Sequence, residues 1–388
     1  MQSIKRALIL ISLSVIFLML GSTYFTTFVS LKLASASISE SIIGMIHTAY
    51  SIGFVIGTLK TEKLIEKLGH TRSFIFFAII FSLSTLGSKF FPSLVGWFTL
   101  RLVSGMCLAA LYVVLESFYL LISPANKRGK ILAIYMIALY VSQSVSQFFY
   151  TIIPFESEAI FLILSFLIFF SCVPMIRLEN PELPQETSKL STVLKNPSIS
   201  WLGLHVSFVS GVVLTALYSF LPLLAQKLNL SIPSSMSLMI LGGLLFQWPI
   251  GLLSDRTNRK ILLLTICLLT FFPTIFPFIY PVSTSMNYLL IILIGGMSFS
   301  LYPIAMALLC ENKPKEELTA LTGLLVLLYS FGMIFGPMLT PFFNMLNDHY
   351  GLYLQIIVFS TLLGIHTLTS LIKSYKKAHS KQSINVEN

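Results

Sequence analysis

The sequence predicts an all-α integral membrane protein with twelve transmembrane helices in two related six-helix bundles. Apolar residues make up 55% of the 388 residues and charged residues only 10%, whereas a soluble domain carries about 25% charged residues. The apolar residues fall in long runs, and a helix needs about 20 of them to cross the hydrocarbon layer. Several positions also repeat at an offset of 194, which is half the chain length. A duplicated helical membrane protein follows from these three observations.

The apolar runs define twelve candidate spans. They are too long for the ~10-residue alternating strands of a membrane barrel, so helices are the better prediction. The first run is also too long for a signal peptide, and we expect it to remain as an uncleaved helix. In chain order the spans cover residues 7–31, 42–59, 73–88, 93–122, 131–152, 159–176, 201–224, 236–253, 261–280, 286–309, 319–343 and 352–373.

The basic residues predict the orientation. With the amino terminus in the cytoplasm, all but four of the 25 lysines and arginines fall on the cytoplasmic side; the four are Lys32, Lys89, Arg101 and Lys227. This is the positive-inside pattern of membrane proteins. Basic loops beside an anionic leaflet account for the net charge of +10 without a nucleic-acid partner.

One long polar connection, residues 177–200, separates six spans from six. Its three prolines disfavour a single continuous helix. We therefore expect an amino-terminal bundle over residues 1–176, a carboxy-terminal bundle over 201–376 and a cytoplasmic tail over 377–388. Matches between the halves support this division: Gly57 with Gly251 and Tyr135 with Tyr329 at offset 194, and Glu116 with Glu311 at offset 195.

No residue pattern indicates a cofactor or an enzyme. The four cysteines lie within predicted spans or at their ends and match no metal-binding spacing, so we expect free buried thiols. The sequence has no Asp/Glu/His cluster, no Gly-x-Ser-x-Gly motif and no phosphate-cradling loop. We predict no metal, no other cofactor and no enzymatic activity.

The most informative motif joins the eighth and ninth spans. Residues 251–260 read Gly-Leu-Leu-Ser-Asp-Arg-Thr-Asn-Arg-Lys, and a weaker copy in the first half lacks the aspartate. This stretch resembles the Gly-x-Leu-x-Asp-Arg-x-Gly-Arg-Arg loop of the major facilitator superfamily, with Asn258 where a glycine is usual. The resemblance implies a gating motif made of Gly57, Arg72, Gly251, Asp255, Arg256, Arg259 and Lys260.

Two further stretches carry the resemblance over the whole chain. Arg101-Leu-Val-Ser-Gly105 is similar to the superfamily's Arg-x-x-Gln-Gly motif in helix 4. Gly332-Met-Ile-Phe-Gly336-Pro337 resembles the Gly-Pro element of antiporters, but it lies in helix 11 instead of helix 5 and does not indicate the transport direction. The closest resemblance is to short bacterial members. It implies a monomer in the inner (plasma) membrane, with both termini in the cytoplasm, that transports by alternating access.

Charged loops predict a gate at the cytoplasmic face. In the outward-open state we expect Asp255 to face Lys127, Arg128 and Lys130, and the lysines of residues 60–67 to face Glu316 and Glu317. An interfacial pair is worth about 1 kcal/mol, so it can hold the contact and still release it. For the lysines, topology alone is a sufficient explanation.

Two charged residues lie inside predicted spans, where charge is costly and commonly functional. The resemblance implies that Glu116 pairs with Arg72, and a proton carrier is the alternative role. Arg101 either reaches the outer surface or binds an anionic substrate or a counter-acid. Spans 1, 7 and 10 contain no deep acid, which disfavours a mechanism with a central carboxylate.

Polar and aromatic residues near mid-span are candidates for the substrate cavity. Gln143 and Gln147 share one helix face at i, i+4 and are the strongest of them. Isolated histidines such as His47 are interpreted as packed polar residues. The other candidates are Tyr24, Gln247 and Tyr329, beside the further mid-span tyrosines Tyr50, Tyr112, Tyr218 and Tyr302.

These residues predict secondary active transport of a small organic solute across the lipid bilayer. Aromatic, hydroxyl and amide side chains favour an amphipathic compound over a dicarboxylate or a phosphate ester, and proton-coupled efflux is the first mechanism. Proton-coupled uptake of a nutrient or metabolite is one alternative. A non-transporting protein that binds a lipid or a signal on the same fold is another. The sequence does not name the substrate, the direction or the coupling ion.

Overall fold

The computed structural model describes residues 2–122, 128–178, 200–311 and 315–386. Two short helices, Phe149–Ile152 and Cys172–Ile176, accompany the long ones. Among the described residues, each long helix except Arg128–Ser146 is long and apolar enough to cross a membrane, the sixth when it is counted from Ala159 through Ile176. In chain order they are α1 (Gln2–Ser35), α2 (Glu40–Leu68), α3 (His70–Phe90), α4 (Leu94–Ile122), α5 (Arg128–Ser146), α6 (Ala159–Phe170), α7 (Trp201–Lys227), α8 (Ile232–Arg256), α9 (Arg259–Ile279), α10 (Thr284–Cys310), α11 (Lys315–Leu346) and α12 (Gly351–Val386).

The junction between α2 and α3 differs from its prediction. The sequence predicted a loop between residue 59 and residue 73, but α2 continues to Leu68 and a single residue, Gly69, separates it from α3. Gly69 has φ 78°, which glycine adopts without a Cβ penalty. The added turns are amphipathic, because Thr61 and Ile65 are buried while the lysines and glutamates around them are exposed. A buried stripe therefore keeps this charged stretch helical.

Two other helix ends also differ from the predicted spans. α5 ends at Ser146 rather than at residue 152. α12 continues to Val386, through residues that the sequence assigned to a tail. The second loop of the repeat is short as predicted: Asn258 caps α9 by accepting a hydrogen bond from the Lys260 amide at 2.9 Å, as short polar side chains do at helix starts.

The long helices pack as two bundles. In the first, α2 packs on α4, α3 on α4 and α6, and α1 on α5 and α6. In the second, α8 packs on α10, α7 on α11, and α9 on α12. Three seams join the bundles, formed by α2 with α11, α5 with α8, and α1 with α7. Polar side chains at these seams therefore lie where a change in bundle orientation would act on them.

We name the two ends of the molecule after the orientation that the charges predict. The outer face holds the α1–α2 and α7–α8 turns. The cytoplasmic face holds the start of α1, the α2–α3 and α8–α9 junctions and the end of α12.

Candidate transport site

The two bundles meet at the outer face. Lys227 of α7 forms an ion pair with Glu40 of α2, Nζ to Oε1 at 2.9 Å, and Asn344 of α11 donates to the other oxygen of the same carboxylate. Deeper in, the Thr48 hydroxyl donates to the backbone carbonyl of Ile334 at 3.4 Å. These bonds close the outer end of the seams.

A further acid extends this ion pair within the second bundle. Asp348, in the α11–α12 turn, accepts from Lys227 Nζ at 2.8 Å. The hydrogen bond from Lys227 and its positive charge lower the pKa of the Asp348 carboxyl. Lys227 is thereby shared between an acid of each bundle.

The cytoplasmic face is different. The bonds that join described residues of opposite bundles at the outer face and near mid-membrane involve Glu40, Thr48, Ser30, Ser144, Gln143 and Tyr140 of the first bundle. Asp255, Arg256 and Arg72 are exposed. A Cβ on Gly251 would have open space around it, whereas one on Gly57 would overlap the Met106 carbonyl of α4. The repeat glycine is therefore packed in the first bundle only.

Two residues of the gating motif bond within the second bundle. Arg259 forms an ion pair with Glu311 at 3.1 Å and also donates to the Ala307 carbonyl at 3.1 Å. Lys260 donates to the Ser374 hydroxyl at 2.6 Å. They fasten the start of α9 to α10 and α12. The predicted facing residues Lys127, Arg128, Lys130, Glu316 and Glu317 lie outside the described residues or side chains.

The first bundle makes the corresponding contact with other residues. His70, the first residue of α3, contacts Ser117 of α4 at 2.8 Å between Nε2 and Oγ. Arg72 and Glu116 form no ion pair with each other, so the pair that the resemblance implies is absent from this conformation.

Arg101 does not reach the outer surface. Its side chain is 1% exposed and stacks on the Tyr50 ring, with the guanidinium carbon 4.2 Å from the ring centroid. It also donates to His47 Nδ1 at 3.4 Å and to the Thr26 hydroxyl at 3.5 Å. The guanidinium is enclosed by α1 and α2 rather than hydrated.

Near mid-membrane the two bundles share a set of tyrosines and glutamines, which we call the tyrosine cluster. Gln143 connects the bundles, because its amide nitrogen donates to Tyr112 at 3.4 Å and its oxygen accepts from Tyr218 at 2.9 Å. Tyr302 and Tyr329 stack edge-to-face at 5.2 Å. The members are Tyr50, Tyr112, Tyr140, Gln143, Tyr218, Gln247, Tyr302 and Tyr329.

Glu116 lies one helical turn beyond Tyr112, on the cytoplasmic side of this cluster. Its carboxyl is within electrostatic range of Tyr112 and Tyr135 of its own bundle and of Tyr302 of the other bundle. The side chain is accessible to solvent although protein atoms surround it densely. Solvent thus reaches the Glu116 side chain although groups of both bundles lie around it.

The Major Facilitator Superfamily model matches residues 11–337 of the chain. The chain belongs to the major facilitator superfamily. It is therefore a multi-pass membrane transporter and not an enzyme. Among relatives, it is 27% identical over 379 residues to "Uncharacterized MFS-type transporter Ent638_1421" of Enterobacter sp. (strain 638), covering 96% of this chain and 97% of that protein. It is 29% identical over 377 residues to "Uncharacterized MFS-type transporter YcaD" of Escherichia fergusonii, with the same coverage.

Solved structures share the superfamily fold. A point mutant of the nucleoside transporter NupG aligns with a TM-score of 0.80 at 14% identity, over 94% of this chain and 99% of that chain. A bacterial homolog of the human lysosomal transporter Spinster, in an inward-facing and occupied conformation, aligns with a TM-score of 0.74 at 14% identity, over 97% of both chains. At these identities the likeness concerns the fold alone.

In this superfamily member the predicted cavity residues fall into two groups. Gln143, Gln247 and Tyr329 join the tyrosine cluster. Tyr24 is fully buried beside Phe149 at 6.1 Å, and Gln147 accepts from the Thr27 hydroxyl at 2.8 Å; both lie inside the first bundle. The i, i+4 pair of glutamines therefore divides between the seam and the bundle interior.

Sequence reasoning missed Tyr140 as a member of the cluster. It contacts Phe299 across the seam, with ring centroids 5.3 Å apart, and its hydroxyl lies beside Gln247. A pattern could have identified it, because residues 140 and 143 share a helix face at i, i+3. The described residues contain no group of three metal-ligating side chains, and the four cysteines are free thiols.

Proposed function

We propose that this chain is a secondary active transporter that works by alternating access, held here in a state closed at the outer face. The observation that carries the proposal is the position of the tyrosine cluster. It is built from both bundles, lies beneath the outer contacts, and adjoins the accessible Glu116. Rocking of one bundle against the other would open the same site to the other side, which is the general scheme of such repeats.

The substrate of this proposal is a small amphipathic organic solute. Six tyrosines offer ring faces and hydroxyls, and two glutamines offer amide donors and acceptors, so the site suits an aromatic or alicyclic body with a few polar groups. Arg101 is enclosed by Tyr50 and His47, so it is not available to an anion in this state. We favour export in exchange for protons, with Glu116 as the proton carrier.

The same proposal places the protein in the bacterial inner membrane as a monomer with both termini in the cytoplasm. Residues 1–176 and 201–376 are its two moving bundles, residues 177–200 are the linker, and residues 377–388, into which α12 continues as far as Val386, are the tail. The positive-inside distribution of the basic residues supports this orientation.

One two-part experiment tests the proposal. A thermal-shift screen of purified protein against metabolites and drug-like compounds identifies a ligand, because a compound that binds the folded state raises its stability. Flux of that compound is then measured in proteoliposomes with an imposed pH gradient of either sign. We expect the compound to move in the direction opposite to the protons. Flux in the symport direction would favour nutrient uptake, and binding without flux would favour a lipid- or signal-binding protein.

A further inference from the structure

A line of buried polar groups connects Arg101 to the second bundle, and the transport mechanism above does not use it. His47 lies between Arg101 and Ser30, with Nδ1 3.4 Å from the guanidinium and Nε2 2.8 Å from the Ser30 hydroxyl. That hydroxyl also lies 2.7 Å from the Ser219 carbonyl oxygen of α7. The line therefore crosses from α4 through α2 and α1 to the other bundle. All four residues are at most 3% exposed.

The direction of each hydrogen bond in this line is determined by chemistry. The Ser30 hydroxyl has two carbonyl neighbours, Ser219 at 2.7 Å and Thr26 at 3.4 Å. Both can only accept, so the single hydroxyl proton points to a carbonyl, of which Ser219 is the nearer, and not to His47. The Ser30 oxygen then accepts from His47, which places the ring proton on Nε2. Nδ1 of a neutral ring keeps its lone pair and accepts from Arg101, which has only donors. The line thus requires a neutral His47.

We propose that His47 is a proton-binding site that releases the outer face. A proton on Nδ1 would set an N–H against the guanidinium N–H at 3.4 Å, so an attractive contact becomes a repulsion between two cations. The ring can relieve it by rotating out of the line between Arg101 and Ser30, which withdraws Nε2 from Ser30 and loosens the hydroxyl that holds α1 to α7. Protons therefore favour the outer-open state.

The surroundings of His47 contain little else that titrates. From α4 it faces Arg101, from α1 the hydroxyl of Ser30, and from α7 a backbone carbonyl; Tyr50, one turn on along α2, stacks on the same guanidinium. On α11, the neighbouring contact is the Ile334 carbonyl that binds Thr48. Among the described residues, Arg101 is the one charged group that acts on His47 electrostatically. The ion pair of Lys227 with Glu40 also joins the bundles, nearer the outer surface, so variants of His47 are needed to separate the response of the ring from that of the pair.

The outer face offers a direct readout. Ala36 lies in the α1–α2 turn and Ser285 in the first turn of α10, and both are exposed. Spin labels on Ala36→Cys and Ser285→Cys, with the four native cysteines replaced by alanine, report the separation of the bundles in nanodiscs without substrate. Histidine titrates in the range between pH 8 and pH 5. As the pH falls through it, the population at the long distance should rise relative to the population at the short distance, by up to about tenfold per pH unit for one proton.

Two variants isolate His47. His47→Gln keeps an acceptor for Arg101 and a donor for Ser30 but cannot titrate, so it should stay closed across this pH range. Ser30→Ala removes the link to Ser219 and should raise the open fraction at pH 8. The matched control is His70→Gln, since His70 is also buried and bonded to a serine hydroxyl at 2.8 Å but lies within one bundle; it should respond to pH like the parent.

Either of two results would overturn the proposal: a parent whose distances do not change with pH, or a His47→Gln variant that still opens at low pH. The test is independent of transport, because it uses no substrate. A protein that opens through His47 but moves no solute would refute the proposed function and leave this inference standing. A protein that transports a solute but whose outer-face distances do not change with pH would refute this inference and leave the proposed function standing.

Discussion

The two bundles fasten their third and fourth helices together with different chemistry. In the second bundle the first residue of α9, Arg259, forms an ion pair with Glu311. In the first bundle the first residue of α3, His70, contacts Ser117. Ser117 and Glu311 are 194 positions apart, which is the offset of the repeat. The same joint is thus ionic in one bundle and neutral in the other.

The different chemistry of the two joints explains why Glu116 takes no part in the contact between α3 and α4. The sequence match at offset 195 suggested that Glu116 corresponds to Glu311, but the contact corresponds to Ser117. One residue along a helix turns the side chain by about 100°, from the α3 side toward the tyrosine cluster. A neutral joint in the first bundle leaves the neighbouring carboxyl without an ionic partner among the described residues.

The largest expected effect is that of Glu116→Gln. If Glu116 carries the proton, this variant should reduce pH-driven flux to that of protein-free liposomes, while exchange of labelled for unlabelled solute continues. Glu311→Gln is the matched control, because it removes the acid at the same end of the fourth helix of the other bundle, where it is paired with Arg259, and it should retain pH-driven flux. Normal pH-driven flux in Glu116→Gln would show that the two acids do not differ in the way proposed.

Arg101 tests a second difference between the bundles, since position 295, at the repeat offset, is a glycine. A desolvated contact between a cation and a ring is worth about 2 kcal/mol, which corresponds to roughly 30-fold in an equilibrium. Arg101→Ala also removes the donor to His47, from which the line continues to Ser30 and Ser219, so it should shift the outer face toward open by at most that factor. Arg101→Lys should lose nearly as much, because lysine lacks the planar fork. Spin-label distances and flux at equal expression check this, and a fully active Lys variant would contradict it.

Asp255 tests the gating motif. At the repeat offset its counterpart is Thr61, which is buried and donates to the Gly57 carbonyl at 2.6 Å, whereas Asp255 is exposed. Asp255→Asn should loosen only the closed cytoplasmic face of the outward-open state, by about 1 kcal/mol or a several-fold population shift. Cysteine accessibility from each side measures that ratio, with Thr61→Ser as the control. An unchanged ratio would remove Asp255 from the gate.

The two joints themselves should differ in their response to salt. A double-mutant cycle of Arg259→Gln and Glu311→Gln should give a coupling of about 0.2–1 kcal/mol, since both side chains are partly exposed, and it should shrink in 1 M salt. A cycle of His70→Ala and Ser117→Ala should give a similar coupling that salt leaves unchanged. Thermal unfolding of the purified variants measures both. If the two coupling free energies depended equally on salt, the assignment of one ionic and one neutral joint would be wrong.

The smallest effect concerns Asp348, the exposed acid that shares Lys227 with Glu40. Hydrogen bonding to Lys227 lowers the pKa of Asp348 below its ordinary value, so its contribution is present above the unfolded pKa of ~3.9 and is lost as the pH falls through the folded pKa. Between pH 5 and 8, Asp348→Asn should therefore leave the pH dependence of the spin-label distances across the outer face nearly unchanged. A large change in that range would transfer the pH response from His47 to this turn.

The sequence predicted the long helices and the fold because hydrophobic length alone defines a span. It could not predict the joint at Ser117, since a shift of one residue in register is invisible without the packed helices. It also treated His47 as an isolated packed residue and Arg101 as a surface or substrate residue, because their contact joins positions 54 apart in the chain. The gating motif was identified, but its residues divide between exposed side chains and side chains that fasten the second bundle. Its gating role stays a prediction.

The acceptors at the outer seam have one more consequence. The carbonyls of Ser219 and Ile334, which bind Ser30 and Thr48 of the other bundle, each lie three residues before a proline inside a helix, Pro222 and Pro337. A proline distorts the turn that precedes it. The second bundle thus presents main-chain atoms, whose identity does not depend on the side chain attached. As related sequences diverge, we expect the two prolines and the two hydroxyl residues to be kept, while the residue types at positions 219 and 334 drift.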